Sequence, residues 1–344
     1  MGVDIGGILT REEITLDKLR SKVVAVDGYN ILYQFLSIIR GADGRPLTDS
    51  RGRTTSHLSG LFYRVCSLLS NDIWPAFVLD GEPPKFKRQE VEERRERKQQ
   101  AQQKYDQALR AGDLEGARKY GQATARVDEY IRESSKQLLR LMGVPCVQAP
   151  SEGEAQAAQL AKAGLVFAAA SQDYDSALFG APRLVRNLGV TGRRKLPGRR
   201  AYVEVKPELV DIEKTTQDLG ISRSQLIDIA ILVGTDYCEG VKGLGAKKAL
   251  ALVAGGSKLE EIYRERGAAV PENLDQIVAF FMNPPVAEVK ALDFQPIDRN
   301  GVISLLVEEY SFSEERVAKT LDAAIQRIEA KRSGLARFIE RQDS

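Results

Sequence analysis

Seven carboxylates stand out in the 344-residue chain, most of them where an apolar run gives way to a turn: Asp27, Asp80, Glu152, Glu154, Asp173, Asp175 and, in a glycine-flanked loop, Asp236. Carboxylates crowded into one cleft cannot stay ionised together unless cations neutralise them. Oxygen ligands select magnesium or manganese over zinc, and the chemistry such a site supports is cleavage of a phosphate ester. Asp173 and Asp175 are two positions apart, so in extended chain they face the same side and can share a cation. Taken singly, each acid has a bland explanation. Asp-Gly after a strand is a common turn, and Ser151 with Glu154 fits a helix capping box. Four strand-end clusters in one sequence reverse that preference.

The elements that must position these acids are legible as apolar runs. Residues 23–26 and 74–79 read as buried strands ending in Asp27-Gly28 and Asp80-Gly81. Residues 144–147 and 165–170 precede the other two clusters, and 184–188 is a further candidate. Helical patterns at 58–69 and 130–141 lie between them. The alternation predicts an α/β fold with a mostly parallel central sheet flanked by helices. Ligands of such sheets bind beyond the carboxyl ends of the strands, and the acids occupy that edge.

Between the second and third of these strands, residues 85–126 carry twelve basic and seven acidic side chains with little apolar stripe. Two helices are predicted here, broken at Gly112-Asp113 and projecting from the sheet. Lys87 and Arg94, seven apart, point from one face that can look down on the acids, although a solvated helix held by i,i+4 ion pairs describes most of this stretch. Further on, a helical pattern at 226–233 leads into Gly234-Thr235-Asp236-Tyr237 and then the glycine-rich 240–249. The glycines permit a tight hairpin whose amides, opening the next helix, can hold a phosphate. Ala246 excludes a Walker A loop and Lys248 a dinucleotide fingerprint.

Net charge is only +2 but it is segregated. Residues 176–203 hold Arg183, Arg186, Arg193, Arg194, Lys195, Arg199 and Arg200 with no acid, and 240–258 hold Lys242, Lys247, Lys248 and Lys258 with no acid. Either stripe alone reads as a solvated patch; together with gathered acids they suit a protein that grips a polyanion and cuts it. Cys66, Cys146 and Cys238 lack metal or disulfide spacing, and the single histidine, His57, sits at a polar helix start and is read as structural. No run approaches the ~18 apolar residues of a membrane span, and the amino-terminal segment lacks a secretory pattern. Gly6 spoils the acylation signal that Gly2 would open. A soluble, intracellular protein in a reducing compartment is expected.

The segments VVAVDGYNILYQFL, PAFVLDGEPPKFK, APSEGEAQAAQLAKAG, AAASQDYDSALFG and GTDYCEGVKGLGAKKAL, in this order, resemble the flap endonuclease family of structure-specific 5' nucleases, over essentially the whole chain. The resemblance implies a PIN-like 5' nuclease fold with a helical arch and a helix-hairpin-helix-like region. Its boundaries would be a single nuclease domain over 1–330, with an N-terminal region at 1–105, the arch at 85–130, an internal region at 130–255 containing the hairpin motif at 225–255, and a tail at 331–344. It implies that the seven acids hold two Mg2+ ions, replaceable by Mn2+, with Asp80, Glu152, Glu154 and Asp173 most directly engaged. Lys87 and Arg94 then match arch residues near the scissile phosphate, acting with Asp80 and Asp173 in catalysis. Gly2 matches a residue packed beside the site, and Tyr33 a base-stacking tyrosine. Lys242, Gly243, Gly245, Lys247 and Lys248 match the duplex-binding hairpin, where the family also implies K+.

Two departures matter. Gly240 stands where the family often has a serine that helps bind potassium, so backbone carbonyls would have to serve. The tail offers Leu335, Phe338 and Ile339 in place of the full sliding-clamp peptide. The expected function is magnesium-dependent hydrolysis at the base of 5' flaps in DNA replication and repair, by a monomer that binds DNA and resembles archaeal members. A 5' exonuclease or bubble-cutting repair nuclease is the alternative within the superfamily. The rival from another class is a non-catalytic DNA-junction binder, which would be indifferent to loss of the carboxylates.

Overall fold

Val24, Ala25 and Val26 are all buried, so the strand that carries them must be covered on both faces. The computed structural model describes the backbone of residues 2–188, 192–195 and 202–340, and side chains over 2–87, 90–188 and 205–331. Its strands are β1 (Arg11–Glu13), β2 (Lys22–Asp27), β3 (Ile73–Leu79), β4 (Cys146–Gln148), β5 (Ala168–Ala170), β6 (Arg183–Arg186), β7 (Gly192–Lys195), β8 (Tyr202–Val205) and β9 (Glu208–Asp211). Among the described residues one seven-stranded sheet runs in the order β1-β9-β6-β5-β2-β3-β4, and β7 and β8 form a separate antiparallel pair. The five strands from β6 to β4 are mutually parallel. β9 returns antiparallel to β6, and β1 antiparallel to β9.

The parallel core is the expected one, with Val26 opposite Phe77 and Ala170. Alternation along each strand sorts side chains to two faces. Val24, Val26, Phe77 and Val185 pack with Leu58 and Phe62 of helix Ser56–Ser70 and with Leu321 of the long helix Glu314–Glu340. Ala25, Val78, Ala169 and Leu184 face Leu160 of helix Gly153–Lys162 and Ile227 and Ile231 of helix Arg223–Val233. Each large apolar side chain so enclosed contributes about 1.5–3 kcal/mol.

His57 is fully buried, its Nε2 2.8 Å from Ser134 Oγ of helix Glu129–Leu141. Ser134 Oγ already donates to the Tyr130 carbonyl at 2.7 Å, which leaves its lone pair for the imidazole N–H. Burial lowers the His57 pKa to about 3, so this side chain is neutral and structural, as the sequence reading had it.

The charged stretch after β3 forms helices Arg88–Arg110 and Leu114–Gln122, and Asp113 caps the second by accepting from Gly116 N–H at 2.8 Å. They pack on each other through Tyr105, Ala108 and Ala117. Lys87 belongs to the short 3-10 turn Lys85–Lys87 ahead of the first helix. Helix Arg223–Val233 opens with a capping box between Ser222 and Gln225 and closes at Gly234, where φ is +107°. The chain then folds back so tightly that a Cβ on Gly240 would lie 2.3 Å from the Val233 carbonyl. A serine at 240 could not fit without opening this turn. Among the described residues no helix is long and apolar enough to cross a membrane.

Candidate active site

Six of the seven acids gather at the carboxyl edge of the parallel strands. Asp27 ends β2, Asp80 follows β3, Glu152 and Glu154 flank the first residue of helix Gly153–Lys162 after β4, and Asp173 and Asp175 follow β5. Asp236 enters from the loop after helix Arg223–Val233. The capping box considered for Ser151 and Glu154 is not formed: Glu152 is the N-cap residue and its own side chain makes no capping hydrogen bond. Asp27 does cap its helix, accepting from Asn30 N–H at 3.0 Å, yet its second oxygen accepts from Ser171 Oγ at 3.1 Å across the sheet.

Burial is the largest cause that lifts proton affinity here, and mutual repulsion adds to it. Asp27 rises to about 6 with Asp173 and Glu152 nearby, and Asp80 to about 8 beside Asp27 and Glu152. Asp175 rises to about 7 with Asp236 and Asp173 in range. Glu154 is raised well above the usual carboxylate range, with Asp175, Asp27 and Asp173 around it. All seven acids are therefore joined in one electrostatic cluster. Asp236 goes the other way: burial opposes its ionisation, but Lys87 and Arg94 hold it below its ordinary value.

Those two bases reach down from the segment after β3. Lys87 Nζ donates to both Glu152 oxygens at 2.8 and 2.9 Å and lies 3.5 Å from Asp236 Oδ2. It also sits 5.4 Å from the centre of the Tyr237 ring. Arg94 Nη2 donates to Asp236 Oδ2 at 2.5 Å. Two cations can thus be placed over a phosphate from the same side that now faces the acids.

As they stand, no three His, Cys, Asp or Glu side chains among the described residues converge closely enough to ligate one ion. Other donors occupy carboxylate oxygens: Lys87 holds both of Glu152, Gly153 N–H holds Asp80 Oδ1 at 2.5 Å, and Asn30 Nδ2 holds Asp173 Oδ2 at 3.1 Å. The donor set nevertheless fits an oxygen-seeking divalent cation. Glu154 Oε1 is buried without a hydrogen-bond partner, burial and then mutual repulsion disfavour the charged forms of Asp27, Asp80, Glu154 and Asp175, and the cluster offers carboxylate oxygens rather than imidazole or thiolate.

Comparison with known proteins decides the family. The XPG N-terminal domain model matches residues 7–101 and the XPG I-region model residues 143–236. Flap endonuclease 1 of Pyrococcus furiosus is 50% identical over 99% of this chain and 100% of its own. That of Archaeoglobus fulgidus is 53% identical over 94% of this chain and 95% of its own. The solved flap endonuclease-1 of Methanococcus jannaschii superposes with a TM-score of 0.75 at 42% identity, over 96% of this chain and 100% of that one. The chain belongs to the flap endonuclease family. It is a metal-dependent, DNA-acting nuclease.

Other features of this flap endonuclease sit as follows. Gly2 abuts Asp173 so closely that a Cβ would lie 2.4 Å from Asp173 Cβ, while Val3 N–H donates to Asp175 Oδ1 at 3.0 Å. Tyr33, on helix Gly28–Ile38, is covered by Lys98 from helix Arg88–Arg110, whose Nζ is 4.5 Å from the ring centre and 3.1 Å from the hydroxyl. Lys242, Lys247 and Lys248 are exposed around Gly243 and Gly245, with Gly245 as N-cap of helix Ala246–Ala254.

The basic stripe at 176–203 needs correction. Arg186 is half-buried, donating to the Gln172 carbonyl at 3.0 Å, to Tyr174 Oη at 2.5 Å and to Glu208 at 2.9 Å, and Arg183 stacks 4.9 Å from the centre of the Phe167 ring. Both hold the fold together. The side chains of Arg193, Arg194, Lys195, Arg199 and Arg200 lie outside the described residues, as do those of Leu335, Phe338 and Ile339. Asn30 and Ser171, which brace the acids, went unread in the sequence, and Arg186 was read only as part of the basic stripe. Asn30 and Ser171 are short polar residues beside conspicuous acids, and only the parallel pairing of β2 with β5 gives them partners.

Proposed function

We propose that this flap endonuclease hydrolyses a DNA phosphodiester at the base of a 5' flap, in replication and repair, leaving a 5'-phosphate and a 3'-hydroxyl. The observation that carries the reading is the gathering of the seven acids at one sheet edge, with Lys87 paired to Glu152 and Asp236 and Arg94 to Asp236. Asp27, Asp80, Glu152, Glu154, Asp173, Asp175 and Asp236 would hold divalent cations, two Mg2+ or Mn2+ by family resemblance. Such ions supply Lewis acidity at the scissile phosphate.

The chain's own residues do the rest. Lys87 and Arg94 exchange their carboxylate partners for phosphate oxygens and stabilise the charge that grows there. Tyr33 offers its ring to an unpaired base, and Gly2 keeps the floor of the cleft free of side chain beside Asp173. Lys242, Lys247 and Lys248 grip the duplex backbone, with Gly243 and Gly245 letting the phosphates approach. This positions substrate without reading sequence. Potassium in this hairpin would rest on backbone carbonyls, since Gly240 has no hydroxyl. The division into nuclease domain, arch at 85–130, hairpin motif at 225–255 and tail belongs to the same reading. So do a monomeric, intracellular enzyme at the nucleoid and a sliding clamp engaged by Leu335, Phe338 and Ile339.

The test uses labelled double-flap DNA with Mg2+. Asp173→Ala should bind with near wild-type affinity and cut more than a hundredfold more slowly; comparable cleavage would remove the acids from the reaction. Nick and bubble substrates in parallel separate flap cutting from the exonuclease and bubble-nuclease alternatives.

A further inference from the structure

We infer that Asn30, oriented by Gln34, is a positioning residue that fixes Asp173 against Asp27 for metal binding. The inference rests on the reading of these acids as cation ligands. Asn30 closes a ring of hydrogen bonds between two strands. Its backbone N–H donates to Asp27 Oδ1 at 3.0 Å, and its side-chain Nδ2 donates to Asp173 Oδ2 at 3.1 Å, 143 positions away in sequence. Asp173 N–H then donates to Ser171 Oγ at 3.3 Å, and Ser171 Oγ donates to Asp27 Oδ2 at 3.1 Å. The end of β2 and the loop after β5 are locked together by this circuit.

The Asn30 amide can face a carboxylate only with its NH2, because its carbonyl oxygen there would repel. Gln34, one helical turn on, enforces that orientation: its Nε2 donates to Asn30 Oδ1 at 2.7 Å. Both residues are half-buried on helix Gly28–Ile38 and line a cavity of about 20 Å³ with Asp27, Ser171 and Gln172. With Asp173 Oδ2 held by Nδ2, Oδ1 lies beside Gly2, 2.9 Å from where a Cβ on that residue would stand. Groups that orient ligands in this way typically change metal affinity 10–100-fold when removed.

The experiment is titration of the full chain with Mn2+, free ion being followed by its paramagnetic resonance, alongside thermal melting. Asn30→Leu, similar in volume, should bind Mn2+ about tenfold more weakly while melting within a few degrees of wild type. Gln34→Glu should do the same without touching either acid, because a carboxylate at 34 accepts the Asn30 NH2 and swings the carbonyl toward Asp173. Cleavage by either variant should recover at raised Mn2+, with the loss in the metal concentration needed and not in the saturated rate. Where Asn30→Leu fails to fold, Gln34→Glu and Gln34→Ala decide. Mn2+ affinity within twofold of wild type in the folded variants overturns the inference, provided Asp173→Ala binds weakly. If Asp173→Ala also binds normally, the ligand reading itself has failed.

Discussion

Asp80 shows how one side chain can be costly and useful at once. Its carboxyl rises to about pH 8 because burial and the charges of Asp27 and Glu152 disfavour the ion. A group whose folded pKa lies above its unfolded value of 3.8 stabilises the fold fully below that value and loses this contribution as pH rises through about 8. Metal-free Asp80→Asn should therefore melt above wild type at pH 8.5, with the gain shrinking as pH falls toward 4; calorimetry in chelator checks it, and added Mg2+ should erase the difference by stabilising wild type. Gly2 is a second residue-scale case. A methyl there would sit 2.4 Å from Asp173 Cβ, so Gly2→Ala should lower cleavage at least tenfold while DNA affinity stays within about twofold, measured by single-turnover kinetics and anisotropy. On the proposed role of Lys87 in stabilising developing phosphate charge, Lys87→Ala should slow the single-turnover rate by about 10²–10³.

Among the elements, helices Ser56–Ser70 and Glu129–Leu141 are tied by the buried His57–Ser134 hydrogen bond. His57 stays neutral in the fold to about pH 3, whereas an unfolded imidazole titrates near 6.5. Its contribution is complete above 6.5 and declines as pH falls toward 3, by at most about 1.4 kcal/mol per pH unit. His57→Gln should therefore lose less stability than wild type between pH 7 and pH 5, as denaturant melts at the two pH values would reveal. The long apolar strands β2 and β3 and the break at Gly112-Asp113 were legible because hydrophobic runs and turn residues impose them locally, whereas β4 and β5 are only three residues each. The antiparallel partners were not: β1 is three exposed polar or charged positions and β9 buries only Leu209 and Val210. Strands that borrow stability from a neighbour leave no periodicity of their own. The same holds for Arg186, whose basic character read as a surface grip until β9 supplied Glu208.

Across the whole molecule, the acids sit at one sheet edge while Lys242, Lys247 and Lys248 are exposed beyond helix Arg223–Val233. The backbone grip proposed for these lysines would release counterions, so the logarithm of affinity should fall linearly with that of salt concentration. Lys247→Ala should reduce the slope by about one and weaken flap, nick and plain duplex alike; loss confined to flaps would contradict a phosphate-only role. One end of the sheet has a different consequence. β1 is its outermost strand, and Arg11, Glu12 and Glu13 are all exposed along it, with Lys18 Nζ 2.6 Å from Glu12 Oε2. A second copy adding its own strand there would have to strip water from this ionised fringe, so crowded molecules should resist zipping into fibrils through that rim.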